Sequence, residues 1–167
     1  MPEPRRQIGF AQVGLGTALK HNLLVVPPNQ REYAWTHEEV TQMLQDFAKA
    51  LNEGTDYFLG TVVTIPQPDG TLEVADGQQR LATSALLLAA IRDYLGDKNE
   101  PIIVQSIDGE FLNCTDRANR ARVPRLQLNI DDNDLFKSIV AGEGFDPKTA
   151  DTSRPSHDRL VRAYVGR

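Results

Sequence analysis

The sequence contains a single cysteine, Cys114, among 167 residues. One cysteine cannot form an internal disulfide, which excludes a disulfide-stabilised scaffold and is consistent with a reducing compartment. No apolar run approaches the roughly 20 residues needed to cross a bilayer. The first ten residues, MPEPRRQIGF, lack the apolar region of a signal peptide. These absences predict a soluble, cytoplasmic protein without a membrane partner.

The sequence also lacks the common phosphate and metal motifs. There is no GxxxxGK[ST] loop, and GLGTAL at 14–19 has only two of the three glycines of a dinucleotide fingerprint, without a convincing preceding strand. His21, His37 and His157 are too widely spaced for a local metal site, and DDND at 131–134 lacks the glycine of a calcium loop. We therefore interpret 14–19 as part of a helix and 131–134 as the acidic first turn of another.

The composition is that of a globular domain. Hydrophobic residues make up 40% of the chain and charged residues 25%, so we expect one domain with a real core. The net charge of −5 argues against a generally basic nucleic-acid surface but leaves room for a local patch. Four arginines within 113–125 are candidates for nucleic-acid contacts, with a solvated loop as the alternative: Arg117, Arg120, Arg122 and Arg125.

The pattern of apolar residues predicts an α/β fold with a mixed sheet. Segments rich in alternating or β-branched residues predict strands at 22–26, 57–65, 71–75, 101–107 and 125–130. Helical periodicity and end signals predict helices at 36–52, 79–95, 131–142 and 157–167. Thr36 and Glu39 predict a capping box, and PQPDG at 66–70 predicts the turn of a hairpin.

One predicted strand-to-helix junction, DGQQR at 76–80, carries more polar residues than a helix start requires. A helix N-terminus offers unpaired N–H groups and partial positive charge, and Gly77 lets a ligand approach the backbone. Arg80 adds a charged, bidentate phosphate partner, and the two glutamines donate and accept without adding charge. We therefore predict an anion or nucleotide site formed by Gly77, Gln78, Gln79 and Arg80. Asp76 can cap the helix or hold a metal ion or water.

The segment NQREYAW at 29–35 precedes the first clear helix. We interpret Tyr33 and Trp35 as aromatic anchors that pack this segment onto the core. Gln30 and Arg31 gain nothing from burial, and we add them to the predicted phosphate-binding residues. The alternative for the DGQQR junction is a helix cap with polar side chains that turn outward, which leaves the Gln-Gln-Arg sequence unexplained.

Three stretches together resemble the N-terminal domains of GmrSD-type restriction endonucleases: VVPPNQREYAWTHEEVTQMLQDF, YFLGTVV and VADGQQRLATSALLLAAIRDYL. The resemblance covers roughly residues 15–95, and RLQLNIDDNDLF and SHDRLVRAY resemble later parts of the same domain. It implies a ParB/sulfiredoxin-like fold in which GQQR replaces a GERR-type phosphate motif.

The resemblance also implies binding and hydrolysis of a nucleoside triphosphate that controls DNA cleavage in anti-phage defence. Asp76, Gln78 and Arg80 become the expected catalytic residues, with Asp76 beside Mg²⁺ or the attacking water. The expected partners are DNA, including modified DNA, and a nuclease domain or partner chain. The alternatives are a nucleotide- or DNA-sensing module without turnover and a scaffold that only binds partners.

The sequence departs from the family pattern in three respects. Gln79 stands where GERR has its first arginine, so one phosphate contact is missing. The loop has no cysteine, which excludes sulfiredoxin chemistry, and no HNH pattern follows. We expect a nucleotide-binding core at 1–112, an extension of the same domain at 113–167, and truncation before a helical region.

Overall fold

The computed structural model describes residues 9–116, 120–142 and 144–166. Its α-helices are α1 (Leu15–His21), α2 (His37–Glu53), α3 (Gln78–Asp97), α4 (Pro101–Ile107), α5 (Ile130–Ala141) and α6 (Pro155–Val165), and a π-helix spans Asp108–Leu112. Its strands are β1 (Leu24–Val25), β2 (Val63–Pro66), β3 (Leu72–Asp76), β4 (Asn113–Thr115), β5 (Arg122–Pro124) and β6 (Leu126–Gln127). The predicted mixed α/β fold is confirmed.

The main sheet has the strand order β2-β3-β1-β6. Strand β1 pairs in parallel with both β3 and β6, whereas β2 and β3 form the predicted antiparallel hairpin. The carboxyl ends of β1, β3 and β6 therefore lie at the same edge of the sheet. The segments that follow these ends begin at Val26, Gly77 and Leu128. Ligands of open α/β sheets commonly bind at such an edge.

Helix α3 forms the centre of the core. Its first half is buried almost all round, as the apolar sequence predicts, and Leu81, Ala82 and Leu86 are at most 2% exposed. The helix packs against α4, α5 and α6. Helix α2 begins with the predicted capping box, in which Glu39 Oε2 accepts a 2.7 Å hydrogen bond from the Thr36 backbone N–H. The hydrogen bonds from Thr36 lower the pKa of the Glu39 carboxyl.

Three predicted strands are wrong in whole or in part, and the one predicted at 125–130 is limited to Leu126–Gln127 because Ile130 begins α5. Residues 101–107 form helix α4. Proline is favoured in the first turn of a helix, where Pro101 stands, and the helix packs against α3 with Ile107 as its buried residue. The strand predicted at 57–65 begins only at Val63. Gly60 adopts a φ of +110°, which is incompatible with a regular strand and makes residues 57–62 an irregular segment.

The far end of α3 is organised by Arg92, which is 4% exposed. Its Nε donates to Asp93 at 2.8 Å, and its Nη1 donates to Asp108 at 3.2 Å and to the carbonyl of Val140. Its Nη2 donates to the Ile139 carbonyl at 3.2 Å. One buried guanidinium thus joins α3, the π-helix and the last carbonyls of α5, which a helix end leaves unpaired.

Candidate functional site

The start of α3 has no side-chain cap. Gly77 occupies the N-cap position with a φ of +93°. Asp76 does not act as the cap, because its side chain points outward and is 70% exposed. It forms instead a 3.7 Å ion pair with Arg80 Nη2. An uncapped helix start at the carboxyl edge of the sheet retains the anion-binding character expected from the sequence.

Gln79 holds the segment that precedes α2. Its Oε1 accepts hydrogen bonds from the backbone N–H groups of Ala34 at 2.8 Å and Trp35 at 3.4 Å. Its Nε2 donates to the carbonyl of Glu32 at 3.2 Å. The side chain is 6% exposed, and both its oxygen and its nitrogen form hydrogen bonds. A glutamine at this position therefore fixes a remote backbone segment, for which an amide has the required donor and acceptor.

Gln78 makes a similar contact one residue earlier. Its Nε2 donates to the carbonyl of Arg31 at 3.2 Å, and the side chain is buried. Gln30 Nε2 donates to the carbonyl of Ala75, at the end of β3, at 3.3 Å. The predicted phosphate-binding residues of 30–31 and 76–80 are thus brought together. The contacts recorded for the three glutamine side chains are, however, with backbone.

Two residues that the sequence analysis did not select complete this arrangement. Asn129 Nδ2 donates to the carbonyl of Gln30 at 3.2 Å, and Asp132 Oδ2 accepts a 2.6 Å hydrogen bond from the backbone N–H of Tyr33. Asp132 is 1% exposed. The acidic run at 131–134 does begin a helix, with Asn129 as its N-cap. Nothing in the sequence of this acidic run indicates that Asp132 faces inward while the other two aspartates of the run face solvent.

Tyr33 is the aromatic anchor that the sequence predicts. It is 2% exposed, and its hydroxyl lies 2.7 Å from Thr83 Oγ1 on α3. Burial raises the pKa of Tyr33 to about 12, and the hydrogen bond with Thr83 opposes part of that rise. Trp35 packs against the core but remains partly exposed. It therefore serves as an anchor and as a wall of the adjacent cleft.

Arg80 faces away from the buried glutamines. Its Nη2 donates to the carbonyl of Thr61 at 2.5 Å, and its side chain is 29% exposed. Its Nε is buried and has no hydrogen-bond partner among the residues that the structure describes. The guanidinium therefore retains hydrogen-bonding capacity beside open space, in contrast to a fully paired structural arginine.

The open space beside Arg80 is a cleft of about 490 Å³. Trp35, Tyr57 and Leu59 give it apolar surface, and α2 contributes the remaining wall through Glu38, Glu39, Gln42, Met43 and Asp46. Arg80 is the cation among these lining residues and faces the carboxylates of Glu38, Glu39 and Asp46. A polyanion would enter this cleft most favourably together with a cation.

A second, much smaller cavity of about 10 Å³ lies on the other side of the junction. Arg31, Tyr33, Gln78, Gln79 and Asp132 are among its lining residues. Gln78 Oε1 and Asp132 Oδ1 are buried acceptors that lack a partner within the described ranges. The volume is about that of one water molecule, so this cavity cannot receive a nucleotide without rearrangement.

The predicted arginine patch lies elsewhere. Arg125 precedes the amino end of β6, which in a parallel arrangement is opposite to the edge that carries Asp76. Its Nη1 donates to the Lys20 carbonyl at 2.8 Å, and Arg122 pairs with Asp108 at 2.5 Å. Arg120 is exposed, and Arg117 lies outside the described residues. A nucleic-acid role for these arginines stays a prediction.

Within 9–116, 120–142 and 144–166, no group of three or more His, Cys, Asp or Glu side chains is placed to hold a metal ion. Asp76 is a single exposed carboxylate, which fits Mg²⁺ only when phosphate and water supply the other ligands. In the same ranges, no helix has the length and apolar character needed to cross a bilayer.

Comparison with known families gives a match over most of the chain. Residues 15–165 match the family described as GmrSD restriction endonuclease, N-terminal domain. The match extends well beyond 15–95 and includes α5 and α6, which pack against α3. No match was found among curated proteins.

Proposed function

Because the chain belongs to the family of GmrSD restriction endonuclease N-terminal domains, we propose that it binds a nucleoside triphosphate and hydrolyses it. The chain is a module of the restriction and defence type, and its family implies the involvement of DNA. Nucleotide turnover in this module controls DNA cleavage by a nuclease domain or partner chain. The observation that carries the proposal is the Arg80 guanidinium, which lines the cleft from the first turn of a helix without a side-chain cap.

Each part of the proposed site has one task. The first backbone N–H groups of α3 and the guanidinium of Arg80 bind phosphate oxygens, since both place positive charge at the same end of the helix. Gly77 adopts a φ of +93°, which glycine tolerates readily, and it lets the backbone of Thr61 and Val62 pack against the helix start. Trp35 and Tyr57 offer aromatic surface to the base.

The acidic wall of the cleft determines how the polyanion enters. The carboxylates of Glu38, Glu39 and Asp46 would repel a bare triphosphate, so the ligand is a triphosphate accompanied by a divalent cation. Asp76 would hold that cation together with phosphate oxygens, which is the usual way in which Mg²⁺ is bound at nucleotide sites. Bound Mg²⁺ would neutralise charge that develops on the phosphates.

The roles of the glutamines differ in this proposal from a simple phosphate cradle. Gln79 positions the backbone of 32–35, and so brings Trp35 to the cleft, because its amide atoms are used there. Gln78 and Gln30 connect the same segment to α3 and β3. Arg31 is exposed beside the small cavity and can contribute charge from that side.

A sensing module without turnover is the second candidate. Gln78 and Gln79 use their amide nitrogens to hold backbone carbonyls rather than a phosphate. Within the described residues, Arg80 is the side chain of the motif that keeps a donor without a partner, which favours binding without turnover. Such a module would bind nucleotide or DNA and act as a switch.

The test is phosphate release with each nucleoside triphosphate in the presence of Mg²⁺. Wild-type protein is compared with Arg80→Ala and with Arg162→Ala, whose arginine forms an exposed ion pair with Asp158 on α6. Turnover that is lost in Arg80→Ala and retained in Arg162→Ala supports the enzyme. A nucleotide-dependent rise in melting temperature without phosphate release supports the sensing module. If neither response is seen, both proposals are contradicted, and the remaining alternative is a scaffold that only binds partners.

A further inference from the structure

Gly60 lies directly against Arg80. Its φ is +110°, and a Cβ added there would be 3.1 Å from Arg80 Nε and 3.2 Å from Arg80 Cζ. These distances are tighter than ordinary van der Waals contact. Gly54 and Gly70 also have positive φ angles, yet a Cβ added at either position would meet nothing within 4 Å. Gly60 therefore has a close neighbour, the Arg80 guanidinium, that Gly54 and Gly70 lack.

The same segment fits against the other end of the motif. A Cβ added at Gly77 would lie 2.9 Å from Val62 Cγ2 and 3.2 Å from the carbonyl oxygen of Thr61. That carbonyl accepts the 2.5 Å hydrogen bond from Arg80 Nη2. The backbone of 60–62 thus runs in contact with both Gly77 and Arg80, and only a residue without a side chain fits at either glycine without displacement.

We propose that Gly60 is a positioning residue for Arg80. Its missing side chain lets the backbone press against the guanidinium, which keeps Nη2 on the Thr61 carbonyl and turns the head group toward the cleft. The consequence for phosphate binding rests on the function proposed above, whereas the geometric part rests on the contacts alone. No catalytic role is assigned to Gly60, since it acts through Arg80.

The first experiment compares Gly60→Ala with Gly70→Ala, which carries the same kind of backbone strain without a neighbour. Binding of Mg²⁺–triphosphate and of the corresponding nucleoside is measured by calorimetry. We expect Gly60→Ala to lose about tenfold or more in triphosphate affinity, the equivalent of one charged hydrogen bond. Nucleoside binding and the Gly70→Ala protein should change little. Equal losses in the two glycine variants would overturn the proposal.

A spectroscopic measurement tests the geometry without any ligand. The Nε–Hε signal of Arg80 is identified in a ¹H–¹⁵N spectrum by its disappearance in Arg80→Lys. Gly60→Ala should shift this signal, because the added methyl group would crowd Nε, and Gly70→Ala should leave it in place. An Arg80 signal that is the same in wild type and Gly60→Ala would contradict the proposal.

A stability cycle covers the case in which Gly60→Ala folds poorly. The unfolding cost of Gly60→Ala is measured with Arg80 present and again in an Arg80→Ala background. The cost should fall in the second background, because the crowded guanidinium has been removed, and an equal cost in both would overturn the proposal. If wild-type protein binds no triphosphate, the proposed function fails, while the spectrum and the cycle still decide the role of Gly60.

Discussion

Helix α3 carries two arginines in contrasting surroundings. Arg92 is 4% exposed, and every nitrogen of its guanidinium has a partner in Asp93, Asp108 or the end of α5. Arg80 is 29% exposed, donates to one carbonyl and lines a cleft of about 490 Å³, and its buried Nε has no partner among the described residues.

The comparison separates a structural arginine from a candidate ligand-binding one. A fully paired, buried guanidinium contributes to folding, and a ligand could bind it only by breaking those contacts. A guanidinium that lines a cleft and is 29% exposed can meet a ligand without the loss of a buried ion pair. The two arginines share a helix, so the difference arises from what the rest of the fold places beside each of them.

The largest effect is expected from the removal of Arg92. Arg92→Ala should lower the free energy of unfolding by about 3–5 kcal/mol, because it removes a buried guanidinium that pairs with Asp108 and bonds the end of α5, although Asn113 still donates to Asp108 and to Val140. Arg162→Ala, which breaks an exposed pair, should cost under about 1 kcal/mol. Chemical denaturation measures both. Equal small losses would show that Arg92 is not the structural member of the comparison.

An intermediate effect is expected at Gln79. Gln79→Ala should cost roughly 1–3 kcal/mol, because the backbone groups of Glu32 and Ala34 lose their partners. The exposed Gln45 on α2 provides the control, and Gln45→Ala should leave the melting temperature nearly unchanged. If Gln79→Ala instead weakened nucleotide binding at unchanged stability, Gln79 would be a direct phosphate ligand as the sequence first indicated.

The smallest effect concerns pH. Burial raises the pKa of Tyr33 to about 12, above the 10.0 of an ordinary tyrosine. The contribution of Tyr33 to the free energy of unfolding is therefore fully present below pH 10. It is lost as the pH rises toward 12, because the tyrosine ionises at lower pH in the unfolded chain than in the folded protein. The loss should reach about 1.4 kcal/mol near pH 11, one pKa unit's worth.

Tyr164 offers the matched comparison for this pH effect. Burial and the hydrogen bond to Asp93 raise its pKa to about 12 also, but it lies beside Arg92 rather than near the DGQQR junction. Denaturation curves from neutral to alkaline pH should therefore be flatter in Tyr33→Phe and in Tyr164→Phe than in wild type. An unchanged alkaline slope in Tyr33→Phe would show that Tyr33 is not held neutral by burial.

Much of the fold could be predicted from the sequence because its local signals agree with the tertiary structure. The capping box at Thr36 and the buried periodicity of α3 each specify an element without outside help. Residues 101–107 were mistaken for a strand because a short apolar run fits either form. Pro101 at the helix start and the packing against α3 favour the helix, and the packing becomes visible only in the folded structure.

The site was predicted less completely for a different reason. The sequence pointed to the DGQQR and NQREYAW segments, and the structure brings the two into contact. The pairing of Gln79 with the backbone of 32–35 could not be predicted, because it depends on parallel strands that bring distant residues together. Asp132 was missed because an acidic residue in a first helical turn already has a sufficient local explanation. Its inward orientation follows from the contact with Tyr33.

The most direct test of the central claim is calorimetry on Arg80 variants with Mg²⁺–triphosphate and with nucleoside, beside a melting curve for each. Arg80→Ala should weaken triphosphate binding by roughly tenfold to a hundredfold, and Arg80→Lys should fall between it and wild type, because lysine keeps the charge but loses the planar fork. Nucleoside affinity and melting temperature should hardly change. Equal losses for both ligands that follow a lowered melting temperature would contradict the account and make Arg80 structural, like Arg92.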